Sequence, residues 1–326
     1  VTTNAAADSS GDPTRRRLPR GAGLLRAAGE TIPPTWFVLI GTLSVQAGAG
    51  IASRLFAVLP PSAVVWLRLL TSAVVLLALA RPALRGRSRA DWMVAVGFGV
   101  CLATMNVAIY QSFARIPLGI AVTIEFLGPL AVAVIGSRRK TDLVWVALAG
   151  TGVALLGRSD GTVTLAGVLF ALLAAAAWAG YIVFSAATGR RFSGMSGLAV
   201  ASVVGTVLVA PLGVAAGGSA LLDPRLLLIG AAIGVLSSVV PYTLELQALR
   251  RMPPRVFGIL MSLEPAAAAL VGLVLLGQFL TLWQWLAVAC VVAASVGATR
   301  RPPEPAQTPP ADARPGPDRT GDRDPD

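Results

Sequence analysis

Histidine is absent from the chain, and cysteine occurs only twice, at Cys101 and Cys290, both inside apolar runs. Those absences exclude a Cys/His zinc cluster, remove the usual base of a serine or cysteine hydrolase, and argue against a disulfide framework. Charge is scarce as well: 13 % of the residues are Asp, Glu, Lys or Arg, against about 25 % in an ordinary soluble domain. With 55 % hydrophobic residues and a mean hydropathy of +0.73, a water-soluble globule is excluded. A net charge of +11 would by itself suggest nucleic acid, but the basic residues sit in tails and short links and build no single face. Nucleic acid is therefore not a partner, and the lipid bilayer is.

What the chain does have is long apolar runs punctuated by short links. Residues 1–35 carry five Arg among Ala, Gly, Ser and Pro without an apolar h-region, so they read as a disordered N-tail and not as a signal peptide. Residues 300–326 hold eight of the 23 prolines and read as a disordered C-tail. Between them lie ten candidate spans approaching the ~20 residues that a bilayer core requires. Their limits are 36–53, 62–80, 91–113, 118–136, 142–157, 164–187, 196–217, 226–248, 256–276 and 280–298. Cytoplasmic links collect Lys and Arg. Counted with ten spans, the two terminal edges and the even-numbered links hold nineteen basic residues, and the opposite links hold four, Arg54, Arg115, Arg158 and Arg225. Both termini are expected on the cytoplasmic side.

Offset by 136 residues, Gln111–Gly136 matches Gln247–Gly272 at eight of 26 positions, among them Gln111/Gln247, Arg115/Arg251, Pro117/Pro253 and Pro129/Pro265. The match equates span 4 with span 9. Five spans separate the copies, and an odd number turns the second copy over in the membrane. The expectation is an all-α membrane protein of ten transmembrane helices in two inverted five-helix repeats, residues 36–160 and 161–299, with a site near the midplane between them. Glycine spacings such as Gly213/Gly217 and Gly230/Gly234 suit close helix packing.

Charged side chains at membrane depth cost on the order of 2.5–3.5 kcal/mol each, so each asks for a reason. Glu125 and Glu264 enter spans 4 and 9 from opposite faces and bracket the midplane. Pro129 leaves the Glu125 carbonyl without its helical donor, and Pro265 does the same to Met261. Arg68 in span 2 either snorkels to headgroups or pairs with a carboxylate, and Glu245 either joins the interior or meets Arg250 or Arg251. Gln46, Asn106, Tyr110, Gln111, Trp178, Tyr181, Tyr242 and Ser262 are softer candidates on the same helices. Together they offer what a zwitterion needs: carboxylate for an ammonium, guanidinium for a carboxylate, aromatic walls for the remainder. Gly157–Gly161 fits G-x-S-x-G without the strand-to-helix elbow or the His that it needs, and Ser137–Lys140 fits S-x-x-K in a basic cytoplasmic link whose positive charge already has a topological explanation. No enzyme activity, cofactor or metal is expected.

The runs Leu43-Ser44-Val45-Gln46-Ala47-Gly48-Ala49, Pro117-Leu118-Gly119-Ile120-Ala121-Val122 and Glu125-Phe126-Leu127-Gly128-Pro129-Leu130-Ala131 resemble the bacterial threonine/homoserine exporter family. So do Val240-Pro241-Tyr242-Thr243-Leu244-Glu245 and Phe257-Gly258-Ile259-Leu260-Met261-Ser262-Leu263-Glu264-Pro265-Ala266. That family belongs to the drug/metabolite transporter superfamily, whose members are built from two EamA-type repeats. The resemblance covers residues 36–299. It implies a multi-pass amino-acid exporter of the bacterial inner membrane, working by antiport against protons. A proton and the substrate ammonium would compete for Glu125 and Glu264. Export of cationic drugs or other metabolites is the nearest alternative, and a scaffold or lipid-handling protein is the alternative of another class. Oligomeric state is left open, a homodimer included.

Overall fold

A computed structural model describes residues 33–82, 85–136, 142–156 and 163–299, which are helical apart from short links. The two tails, the basic link 138–140 and the Gly157–Gly161 segment lie outside the described residues, and the expectations placed on them are outside it too. Among the described residues, nine helices are long and apolar enough to cross a bilayer. Numbered as above, they are span 1 (Pro34–Leu55), 2 (Pro61–Ala80), 3 (Arg89–Phe113), 4 (Leu118–Ile135), 6 (Leu165–Gly189), 7 (Ser196–Leu222), 8 (Pro224–Leu249), 9 (Arg255–Leu276) and 10 (Leu282–Thr299). Span 5, Asp142–Leu156, has 15 residues, or roughly 22 Å at 1.5 Å per residue. This described part packs along span 10.

Local chemistry explains where the helices start. Pro34, Pro61 and Pro224 open spans 1, 2 and 8, positions whose N–H would have no helical partner in any case. Span 3 opens on a capping box: Ser88 Oγ accepts from the Asp91 N–H at 3.2 Å while the Asp91 carboxylate accepts from the Ser88 N–H at 3.1 Å. Span 9 ends at Gly277, whose φ of +66° is the left-handed cap that glycine adopts without strain. The turn lets Gln278 fold back, and its Oε1 accepts the Leu118 N–H at 2.9 Å. That bond caps span 4, where Pro117 has no side-chain acceptor to offer.

The helix neighbours follow a pattern. Span 3 lies along span 6 and span 8 along span 1; span 3 touches span 7 and span 8 touches span 2; span 1 meets span 9 and span 6 meets span 4. Spans 2 and 7, 4 and 9, and 5 and 10 pair directly. Exchanging spans 1–5 for 6–10 leaves this set unchanged. The two glycine pairs both serve span 2. A Cβ on Gly213 or Gly217 would meet Trp66 or Ala63, and one on Gly230 or Gly234 would meet Leu67 or Thr71. Large exposed side chains such as Leu79, Val144, Leu165 and Val274 point away from the interior, as a surface facing hydrocarbon requires.

Three spans are interrupted. Span 4 divides at Phe126 into Leu118–Glu125 and Leu127–Ile135. Span 9 divides at Ser262 and Leu263 into Pro254–Met261 and Glu264–Leu276. Residues 126 and 262 stand at the offset of the sequence match, and the first half of each broken span follows a proline of nearly identical backbone, Pro117 at φ −55°, ψ 141° and Pro253 at φ −59°, ψ 139°. Pro129 and Pro265 supply the cause, since each lacks the N–H that would continue the ladder across the break. Span 8 holds a π-helical turn at Val235–Val239 with Pro241 just beyond it. This turn was not among the expectations from the sequence.

Candidate functional site

The interruptions gather the interior polar groups. Glu125 is the last residue before the break in span 4 and Glu264 the first after the break in span 9. Both are buried, and both line one cavity of about 90 Å³. Gln46, Arg68, Asn106 and Trp178 complete its polar and aromatic wall, while Val45, Ala49, Met105, Ile109, Phe113 and Val122 supply the apolar part. Six of the twelve residues singled out from the sequence therefore converge on one space, and they come from spans 1, 2, 3, 4, 6 and 9.

Gln46 Nε2 donates to Glu264 Oε1 at 3.1 Å, across more than two hundred residues of sequence. Glu264 also sits in the first turn of a helix, where the partial positive charge of free N–H groups favours a carboxylate. Arg68 donates through Nη1 to the Tyr110 hydroxyl at 3.2 Å and through Nη2 to the Ser237 carbonyl at 3.2 Å. Its guanidinium lies 5.5 Å from the centre of the Tyr110 ring. The Ser237 carbonyl is available because Pro241, four residues on, has no N–H to give it. The Leu236 carbonyl in the same turn accepts from Ser44 Oγ at 2.7 Å. Ser44, Ser237 and Pro241 were not among the sequence candidates. The signal was present, since the rule that applies to Pro129 and Pro265 points from Pro241 straight to Ser237.

Of the two readings of Arg68, snorkelling is excluded, because the side chain turns inward. Nor does it form an ion pair: among the described residues the only pair within 4.0 Å is Arg191 with Asp91 at 3.0 Å. Arg68 reaches Glu125 and Glu264 through space, and Glu125 accepts no hydrogen bond from a described side chain. Glu245 is half-buried, and its charge acts on Glu264, Tyr181 and Tyr242. The Tyr181 ring packs 4.9 Å from Phe98. One guanidinium thus faces a group of carboxyls, and the cluster favours an added cation.

Trp178 also lines a second, larger cavity of about 260 Å³, almost wholly apolar, formed with Phe126, Pro129, Ala133, Phe257 and Met261 among others. Its ring meets Phe126 edge-on at 5.4 Å, so one aromatic pair stands between the polar cavity and the apolar one. Ser262 belongs to this second wall and spends its hydroxyl on the Gly258 carbonyl at 2.9 Å. Gln111 is outside both cavities and accepts from Arg115 at 2.7 Å.

Residues 165–300 match the model of the EamA-like transporter family. Threonine/homoserine exporter RhtA of Salmonella typhimurium LT2 is 40 % identical over 284 residues, 83 % of this chain and 95 % of that protein. RhtA of Escherichia coli K12 is 39 % identical over 273 residues, 82 % of this chain and 92 % of that protein. The uncharacterized transporter YwfM of Bacillus subtilis is 26 % identical over 211 residues, 62 % of this chain and 71 % of that protein. A protein of known crystal structure shares the fold at a TM-score of 0.53 and 19 % identity, over 81 % of this chain and 97 % of that one.

Proposed function

This chain belongs to the threonine/homoserine exporter family of EamA-like transporters, and we propose that it moves small amino acids of the threonine and homoserine class out of the bacterial cytoplasm in exchange for protons. It is a multi-pass membrane transporter and not an enzyme. The observation that carries the reading is the cavity between the broken spans, where Arg68 faces Glu125 and Glu264 without pairing to either. A zwitterion fits that arrangement, with its carboxylate toward Arg68 and its ammonium between the carboxylates. A proton on a carboxylate removes the charge that holds the ammonium, so proton entry and substrate release are coupled by competition for one group. Glu245, Tyr181 and Tyr242 extend the titratable cluster. The even pairing of spans 1–5 with 6–10 supports two five-helix repeats related by inversion, with the breaks in spans 4 and 9 as the points about which they move.

The direct test is uptake of labelled amino acids into inverted vesicles under an imposed proton gradient. Threonine and homoserine are expected to accumulate, and collapsing the gradient with an uncoupler should stop them. Accumulation of cationic dyes without amino acids would support the drug-export alternative, and no movement of either would support a scaffold. Orientation is checked separately. A reporter fused after Arg300 should read as cytoplasmic and one inserted near Asp160 as external; an external C-terminus would overturn the ten-span topology.

A further inference from the structure

We infer that the cavity selects for a hydroxyl on the substrate side chain, and that the Asn106 and Gln46 amide oxygens read it. This deepens the reading of the cavity as an amino-acid site and rests on it. Both side chains are 2 % exposed and belong to the cavity wall. Their orientation is fixed by what their nitrogens do: Asn106 Nδ2 donates to the Leu102 carbonyl at 2.8 Å, and Gln46 Nε2 donates to Glu264. An amide so anchored can turn only its oxygen elsewhere. Asn106 Oδ1 and Gln46 Oε1 are buried without a hydrogen-bond donor, a costly arrangement unless a ligand or water completes it.

Counting donors gives the chemistry. Glu264 Oε2 is likewise unmet, and with the two oxygens of Glu125 it offers three acceptors, the number an ammonium's three N–H groups require. The two amide oxygens are then left over. Both accept only, so the group that fills them must donate, and it must be uncharged because the ammonium is already placed. A hydroxyl on the β or γ carbon meets that description, its single O–H filling one of the two oxygens at a time. A methyl group in its place leaves the amide oxygens dry and unpaired. A site built around a hydroxyl discriminates against the hydrocarbon isostere more strongly than an apolar pocket discriminates between similar groups.

The experiment compares isosteric pairs, threonine with valine and homoserine with norvaline, as competing substrates in vesicles containing the full chain. Wild-type protein is expected to favour the hydroxylated member by about 10- to 100-fold. Asn106→Leu keeps the approximate shape and removes the acceptor, and should bring the threonine to valine ratio to within about 3-fold of unity, chiefly by slowing threonine. Equal handling of both pairs by the wild type would overturn the inference while leaving amino-acid export standing. Unchanged discrimination in Asn106→Leu would overturn the assignment to the Asn106 oxygen. Should that variant fail to insert, the wild-type ratios still decide. Failure of every amino acid to move would defeat the reading of the site itself, which is a different result from lost discrimination.

Discussion

Glu125→Gln and Glu264→Gln are each expected to insert and express like the wild type, and at least one should lose gradient-driven homoserine export by about 100-fold or more. Gln matches Glu in shape, and its amide oxygen still accepts, so the bond from Gln46 to position 264 can persist. Only the titratable charge is gone. If the altered group carries the proton alone, exchange of internal for external substrate continues in its variant while accumulation against a gradient stops. If it also holds the substrate ammonium, exchange falls as well. Homoserine resistance of cells and uptake by vesicles measure the two separately. Full gradient-driven export in both single variants would remove these carboxylates from the mechanism. Loss of expression would instead mark each Glu as a structural counter-charge that half-buried Arg68 cannot lose.

The second large effect is expected from a single methyl group. Gly128→Ala drives a Cβ into the Ala175 carbonyl oxygen, a backbone atom on the neighbouring span that cannot turn aside. Spans 4 and 6 must separate to admit it, and overpacking of this kind costs about 1–3 kcal/mol or more. The yield of monodisperse detergent-solubilised protein and its melting temperature should both fall sharply. Gly150→Ala is the control. It lies in a helix with open space around its would-be Cβ, and alanine is the better helix former. Equal melting temperatures for the two variants would show that the contact between spans 4 and 6 is looser than described.

The sequence discloses some of this and conceals the rest for physical reasons. Span limits were readable to within a few residues, because every span had to be apolar over its whole length. The breaks in spans 4 and 9 were readable because a missing N–H has a fixed consequence four residues earlier. Glu125, Glu264 and Arg68 stood out because charge in an apolar run is rare. Met105, Ile109, Phe113 and Val122 could not be told apart from lipid-facing neighbours, since a helix that is apolar all round carries no marker of its inner face. Gly128 was hidden for a similar reason: small residues occur along every span, and only the fold says which one meets a carbonyl. The inward course of Glu245 was open in the sequence, since Arg250 and Arg251 lie within a helical turn or two. Gln111, although matched in the repeat, is spent on Arg115 at the protein surface.

Pro241 has an effect larger than its place in span 8 suggests. By deleting one donor it creates a berth for Arg68 on the Ser237 backbone, with Tyr110 on the other side. A guanidinium left loose in an apolar interior would swing to the nearest carboxylate, and Arg68 with Glu125 would then quench each other and leave the empty transporter with little to offer a zwitterion. Moored to a carbonyl and a phenol, it keeps its charge unspent while the cavity is vacant. The berth is a backbone atom, so no side-chain change at Ser237 can abolish it. Control of the cationic half of the site therefore resides in a residue that does not line the cavity, one helical turn away from the oxygen it sets free.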